Sequence, residues 1–342
     1  MQSLKNKKGE NMENSDIKVS ICCLTYNHER YVRKALDSFL MQKTNFKYEI
    51  LIHDDASTDG TADIIREYEE KYPDIIKPIY QTENQYKQRV KINWQHQFPR
   101  TKGKYIALCE GDDYWCDSNK LQLQYDTLEH SRAVFCAHCV RLVTESGEKM
   151  GKYIPNIIEE HYQSGEKFLR DLLTRKPYPF QTSSYMFRKQ TIIKECKAIP
   201  DFIKCAPVGD VFFMMLMATK GDICYIDREM SCYRQFSTSS WSVSYASKRQ
   251  NRIIHEERFY RAMELFNEYT NYAYNSLVQE RLNKIRFMLL EFEGQYQELI
   301  KPPYLNYFKQ LSVMERIYIM CGIKIPYLIK IYRKIKNKLL EC

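Results

Sequence analysis

The chain has 342 residues, 44% of them hydrophobic and 28% charged, with a formal net charge of +9. Such a composition fits a folded chain with a sizeable core and excludes a disordered, collagen-like or coiled-coil protein. No run reaches the roughly 18–20 uncharged apolar residues of a membrane-spanning helix, which excludes an integral helical membrane protein.

Residues 1–16 are rich in Lys, Asn and Glu without an apolar stretch, and predict a disordered tail with no secretory signal. From residue 17 short apolar runs alternate with amphipathic segments. Residues 18–24 read as a buried strand and 29–42 as a helix with Val32, Ala35, Leu36, Phe39 and Leu40 on one face. A strand at 48–53 precedes a helix over 59–72, capped by Ser57, Thr58 or Asp59. Then come a strand at 75–80, a helix over 90–98 and a strand at 104–109. This alternation predicts a mostly parallel, Rossmann-like α/β sheet flanked by helices, with ligands beyond the carboxyl ends of its strands.

Past Tyr114 the rhythm changes. A helix over 120–129 leads to a strand over 133–143 that turns at Glu145-Ser146-Gly147. Further helices are expected over 168–173 and 211–219, and strands over 182–188 and 223–233. The spacing divides the chain into a tail (1–16), a main domain (17–242), a helical extension (243–302) and a basic amphipathic tail (303–342). Of the twelve cysteines, Cys22, Cys109, Cys136 and Cys224 lie in strand-like runs and read as small core hydrophobes in a reducing compartment. Cys136 and Cys139 have CxxC spacing, but no second Cys or His pair stands at zinc spacing, so a strand is the expectation.

Two acidic runs end parallel strands: His53-Asp54-Asp55-Ala56-Ser57-Thr58-Asp59-Gly60-Thr61 and Glu110-Gly111-Asp112-Asp113-Tyr114-Trp115. Adjacent carboxylates repel unless a cation joins them, and Mg²⁺ or Mn²⁺ shared with substrate phosphates is the usual one. Turns and caps favour Asp and Ser as well, but two such runs at strand ends of one sheet favour a ligand site.

Together with Val19-Ser20-Ile21-Cys22-Cys23-Leu24-Thr25-Tyr26-Asn27, these runs resemble family 2 glycosyltransferases of the GT-A fold, of the bacterial capsule and O-antigen type. Val208-Gly209-Asp210-Val211-Phe212-Phe213 resembles the segment carrying their catalytic base, and Tyr233-Arg234 with Ser237 to Ser240 the loop over the donor diphosphate. The resemblance covers residues 17–240. It implies an inverting, metal-dependent hexosyltransferase that moves one sugar from a UDP-sugar to a hydroxyl of a lipid-linked saccharide. It also implies roles for individual residues. Thr25, Tyr26 and Asn27 contact the nucleoside, and Asp55 accepts from the uracil. Asp112 contacts the donor, Asp113 binds Mg²⁺ or Mn²⁺, and Asp210 is the general base. Arg234, with Lys87 or Arg89, faces the phosphates, although the His that many relatives place after it is missing. Glu110, Tyr114 and Trp115 are acceptor or supporting residues, with packing beneath the site as the alternative reading for both aromatics.

Three other classes are weaker. A nucleotidyltransferase needs a Gly-rich loop after the first strand, where residues 24–29 contain no Gly. A dehydrogenase needs Gly-x-Gly-x-x-Gly there. A non-catalytic relative would not need Asp55, Asp112, Asp113 and Asp210 together. From Pro303 onward eight Lys or Arg stand against two Glu. With the apolar run 317–332, this predicts an interfacial helix on an anionic membrane, placing the protein peripherally at the cytoplasmic face. No nucleic-acid motif accompanies the charge.

Overall fold

The computed structural model describes residues 17–155, 160–174, 179–235 and 249–327. The expected tail over 1–16, the Ser237–Ser240 loop and the basic stretch from Lys330 onward lie outside the described residues. By contacts the chain divides into two compact units. One comprises residues up to Glu166 with Pro179–Ala198 and Met217–Gln235; the other holds Lys167–Tyr178, Ile199–Leu216 and the chain from Phe236.

The first unit is built on a ten-stranded mixed sheet. Its parallel part is β1 (Ile17–Thr25), β2 (Lys47–Asp54), β3 (Ile76–Tyr80) and β4 (Tyr105–Leu108), in the order β3-β2-β1-β4. Helices α1 (Val32–Leu40) and α2 (Thr61–Lys71) supply the crossovers. β1, β2 and β4 are buried along nearly their whole length, which is why they read as apolar runs and do not alternate. Val19, Ile21 and Ile50 pack with Leu36 and Phe39 of α1 in one core. Cys22, Cys109, Cys136 and Cys224 are buried free thiols, as expected of core cysteines.

Beyond β4 the sheet becomes mixed. β5 (Tyr114–Trp115) and α3 (Lys120–Glu129) lead into β6 (Phe135–Val143), β7 (Lys149–Ile154) and β8 (Tyr162–Gln163). β9 (Met186–Arg188) inserts antiparallel between β4 and β6, and β10 (Ile223–Arg234) runs parallel to β6 and antiparallel to β5.

Three local expectations are corrected. The helix expected over 90–98 is a π-turn at Asn93–Gln97 followed by a 3₁₀ turn at Phe98–Arg100. There Gln97 Nε2 donates to the carbonyls of Cys23 (3.0 Å) and Leu51 (2.9 Å) on neighbouring strands, and Pro99 cannot donate to a continuing helix. The strand expected over 182–188 begins as a 3₁₀ turn, Thr182–Ser184, because the Gln181 side chain accepts from Ser183 N. α2 starts after Gly60, which offers no side-chain cap; Asp59 Oδ1 instead accepts from Thr61 N at 3.0 Å.

The second unit is helical. α4 (Gly165–Thr174) crosses into it from the first, and α5 (Ile193–Lys197) belongs to the first. α6 (Asp201–Cys205) follows, then α7 (Gly209–Lys220), whose residues from Met217 on belong to the first unit, and α8 (Arg249–Tyr269), α9 (Asn275–Glu293), α10 (Tyr296–Leu299), α11 (Leu305–Gln310) and α12 (Val313–Lys324). Phe202 packs edge-on against Phe266, and Phe212 against Phe259. A satellite core gathers Phe287, Leu290, Tyr296, Leu299 and Ile319. No helix among the described residues is long and apolar enough to cross a membrane.

One core residue of the first unit is a cation. Lys120 is fully buried, its Nζ lies 3.9 Å from the centroid of the Trp115 ring, and that nitrogen has no hydrogen-bond partner. Burial pushes its pKa down to about 7. The folded value lies below the unfolded one, so the charged form opposes folding and stability rises as pH climbs from about 7 through the ordinary lysine range. Lys120→Met keeps the volume without the charge. It is expected to be the more stable protein at pH 7 by a few kcal/mol, on the order of the pKa displacement. In urea titrations the gap from wild type closes toward pH 10; a gap independent of pH would sink this account.

Candidate functional site

The site is assembled at the carboxyl ends of β1, β2 and β4. The loop after β1 is fastened to the loop after β2. Asn27, in the left-handed region at φ 54°, donates its N–H to Ser57 Oγ (2.9 Å) and accepts from Thr58 N through Oδ1 (2.8 Å). His28 N donates to Thr61 Oγ1 at 2.8 Å. Thr25 is buried, its hydroxyl donating toward the His53 carbonyl and Asp54 Oδ1, both at 3.3 Å. A Cβ on Gly111 would stand 2.4 Å from the Thr25 methyl, so the first and third motifs meet only because residue 111 is glycine.

The two carboxylates of the second motif differ in their partners. Asp54 holds its own turn, accepting from Ser57 Oγ (2.5 Å) and Ser57 N (3.2 Å). That fixes Ala56 at φ 60°, a strained position for a residue with a Cβ. Asp55 is 3% exposed and accepts from the main-chain N–H groups of Gln85 (2.7 Å) and Tyr86 (3.0 Å). It thus organises the segment after β3, which carries Lys87, whose Nζ lies 5.8 Å from the centroid of the half-buried Tyr26 ring. Behind Asp55, His53 is fully buried with Nε2 3.8 Å from Asp55 Oδ1 and its ring 5.2 Å from that of His96. Burial, then His96, lowers the His53 pKa to about 4, so this ring is neutral at pH 7.

At the end of β4, Glu110, Asp112 and Asp113 bring carboxylate oxygens within 4.8 Å of one another. Asp113 is 1% exposed and accepts from Gln181 Nε2 and from Arg234 N, both at 3.0 Å. Burial first, and the neighbouring Asp112 second, push its pKa well above the usual carboxylate range. An all-oxygen, negatively charged donor set of this kind fits a hard divalent cation such as Mg²⁺ or Mn²⁺, which would relieve that repulsion. His28 Nε2 stands 3.9 Å from Asp112 Oδ2.

Trp115 is 1% exposed. Its Nε1 donates to the Ser183 carbonyl (3.0 Å) and its ring meets Phe39, an arrangement in which it packs beneath the site. Tyr114 is 8% exposed, with Lys34 and Arg234 against its ring. Arg234 lies beside Lys34, while Lys87 and Arg89 are exposed on the segment after β3. Asp210 belongs to the second unit, in the first turn of α7. Its Oδ1 accepts from Val211 N at 2.7 Å, and burial raises its pKa. Sequence reasoning missed Gln181 and Lys34. Gln181 is 68 positions from Asp113 in a segment without a motif, so no local pattern announces it.

Residues 20–197 match the family model of Glycosyl transferase family 2. An uncharacterized protein of Mycobacterium bovis is 33% identical over 233 residues, 68% of this chain and 63% of the relative, so the match spans less than two thirds of that protein. A minor teichoic acid biosynthesis protein, GgaA, of Bacillus subtilis (strain 168) is 29% identical over 51% of this chain and 37% of its own. Among solved structures, S. aureus TarS 1-349 in complex with UDP-GlcNAc superposes with a TM-score of 0.54 at 17% identity, covering 88% of this chain and 78% of that one. The likeness in structure bears out the expected GT-A fold.

Proposed function

From the premise that the chain belongs to glycosyl transferase family 2, we propose that it transfers a single sugar from a UDP-sugar to a hydroxyl of a lipid-linked saccharide, inverting the anomeric centre, in cell-surface polysaccharide synthesis. The observation that carries this reading is the convergence of Glu110, Asp112 and Asp113 at the end of β4, beside the Thr25–Asn27 and Asp55 loops. GgaA, named for teichoic acid synthesis, and the TarS complex with UDP-GlcNAc support the donor and product class.

In this reading Tyr26 and the Asp55-held segment 84–86 receive the nucleoside, and the three carboxylates hold Mg²⁺ or Mn²⁺. A divalent ion held there would supply positive charge to offset the negative charge on the departing diphosphate. Gln181 and the Arg234 N–H fix the Asp113 carboxylate. Asp210 takes the proton of the acceptor hydroxyl, and its raised pKa makes it a stronger base than an ordinary aspartate. One displacement needs no enzyme nucleophile.

The membrane expectation draws support from α12 and its flanks. Val313, Met314, Ile317 and Tyr327 are half to three-quarters exposed, and Arg316 and Lys324 stand beside them. An anionic membrane surface suits that combination, and it supports the reading of a peripheral protein at the cytoplasmic face.

The test is a panel of nucleotide sugars incubated with the protein and either Mn²⁺, Mg²⁺ or chelator, with product nucleotide measured. One UDP-sugar is expected to be consumed, and only with a metal ion present. No turnover of any donor, even with bacterial membranes supplied as acceptor, would overturn the proposal.

A further inference from the structure

α12 is apolar on two faces. One is sealed: Ile319 is 1% exposed in the satellite core, and a Cβ on Gly322 would stand 2.3 Å from the Tyr296 ring. The other carries Val313, Ile317, Met320 and, just past its end, Ile325, which follow the helical repeat. With Phe308 of α11 they line a groove of about 450 Å³. Clefts that hold small ligands span about 300–1,000 Å³. Val313 is 61% exposed, Ile317 50% and Ile325 47%. The twelve residues of α12 make a helix about 18 Å long, short of the roughly 30 Å a spanning helix must cross, so this second stripe does not mark a membrane span.

Arg316 and Lys324 line the same groove. Their methylenes can lie along its wall while the charged heads stay in water. Two helical turns, about 12 Å, separate them, so a chain lying lengthwise meets a cation at either end. Among the described residues neither forms an ion pair. Glu315, the one acid of α12, is engaged at the helix cap, where its Oε2 accepts from Ser312 N at 2.8 Å. Past Tyr327 the sequence adds Lys330, Arg333, Lys334, Lys336 and Lys338 against Glu341. A second copy of this chain, or residues 328–342 themselves, would bring positive charge to positive charge. An anionic apolar ligand meets both the stripe and its cations.

We propose that this groove binds the chain of a lipid phosphate or diphosphate ester, with the phosphate at Arg316 or Lys324. A single stripe between two helices admits one chain, which points to a single-chain lipid over a diacyl phospholipid. The proposed transferase function is needed only to name the source, the lipid that carries the saccharide acceptor. Attraction of α12 to a membrane surface needs no groove; Met314, 73% exposed and outside the groove, serves it as well as Ile317 does.

The probe is farnesyl phosphate, titrated calorimetrically into the full chain with chelator present and below micelle-forming concentration. Geranyl phosphate, one isoprene unit shorter, is expected to bind at least about tenfold more weakly, since each buried methylene contributes about fourfold in affinity. Ile317→Asn and Val313→Asn are each expected to weaken binding about tenfold. Both residues are at least half exposed, so unchanged thermal unfolding should accompany the loss. Met314→Gln is expected to change affinity less than about twofold. Of Arg316→Gln and Lys324→Gln, the one beside the phosphate is expected to weaken binding about fivefold. Equal affinity for the two chain lengths, no loss in either Asn variant, or no loss in either Gln variant of the cations overturns the proposal. Phosphatidylglycerol vesicles that bind the protein while farnesyl phosphate does not would leave only surface attraction, and would overturn it too. If farnesyl phosphate binds but no nucleotide sugar is turned over, the groove stands and the transferase reading fails. If donors are turned over and no lipid phosphate binds, the groove proposal falls alone.

Discussion

Asp113→Asn is expected to lower metal-dependent sugar transfer by about a thousandfold, the order of losing several kcal/mol of charge stabilisation at the departing diphosphate. The carboxylate is buried, accepts from Gln181 and from Arg234 N, and shares a 4.8 Å cluster with Glu110 and Asp112. Asparagine removes one of the three carboxylates. It can still accept from Arg234 N, but it presents an amide N–H₂ toward Gln181 Nε2, whose own Oε1 is already taken by Ser183 N at 2.7 Å and Ser183 Oγ. The variant thus loses metal affinity and the alignment of what remains. Thermal unfolding gives a readout without acceptor or donor. At about 100 times its dissociation constant the ion should stabilise wild type by about 2.7 kcal/mol, and the variant by much less. Transfer by the variant within tenfold of wild type, with the same Mn²⁺ or Mg²⁺ dependence, would remove Asp113 from the site.

Asp210→Asn is expected to lower transfer by about 10²–10⁴-fold, the usual range for a positioned base, with the donor KM unchanged. The raised pKa of Asp210 has two consequences of known sign. The acidic limb of the wild-type rate profile falls at a higher pH than an ordinary aspartate would give, and the variant lacks that limb. For stability, a carboxyl whose folded pKa exceeds its unfolded one contributes most at low pH, and that contribution is lost as pH rises through the folded value. Asparagine removes this pH-dependent loss, so at pH 7 the variant should be at least as stable as wild type. A folded variant that transfers sugar at a wild-type rate would exclude Asp210 as the base.

Much of this architecture is legible locally. The parallel strands β1 to β4 are short apolar runs bounded by turn residues, and α3 begins and ends where its pattern predicts, at Lys120 and Glu129. The acidic runs are contiguous, so Glu110, Asp112 and Asp113 could be selected together, and Asn27, Ser57 and Thr61 mark loops by their chemistry. Such signals lie within ten or fifteen residues of one another, the range over which periodicity and side-chain capping act.

Tertiary structure decided the rest, because the deciding contacts join residues far apart in the chain. Antiparallel insertion of β9 between β4 and β6 depends on pairings such as Tyr105 with Arg188, which no local preference encodes. The π-turn at Asn93–Gln97 follows from carbonyls that β1 and β2 present to Gln97. The adjacent aromatics of the third motif look alike in sequence, yet Trp115 is sealed under Ser183 while Tyr114 meets two cations. Gln181 reaches Asp113 across 68 positions, and Lys34 joins Arg234 only once α1 and β10 have packed around Tyr114. The amino-acid order by itself determined which residues bear the chemistry and which segments become strands and helices. Long-range packing decided which of those residues share a charge, because only the closed sheet brings them within electrostatic reach.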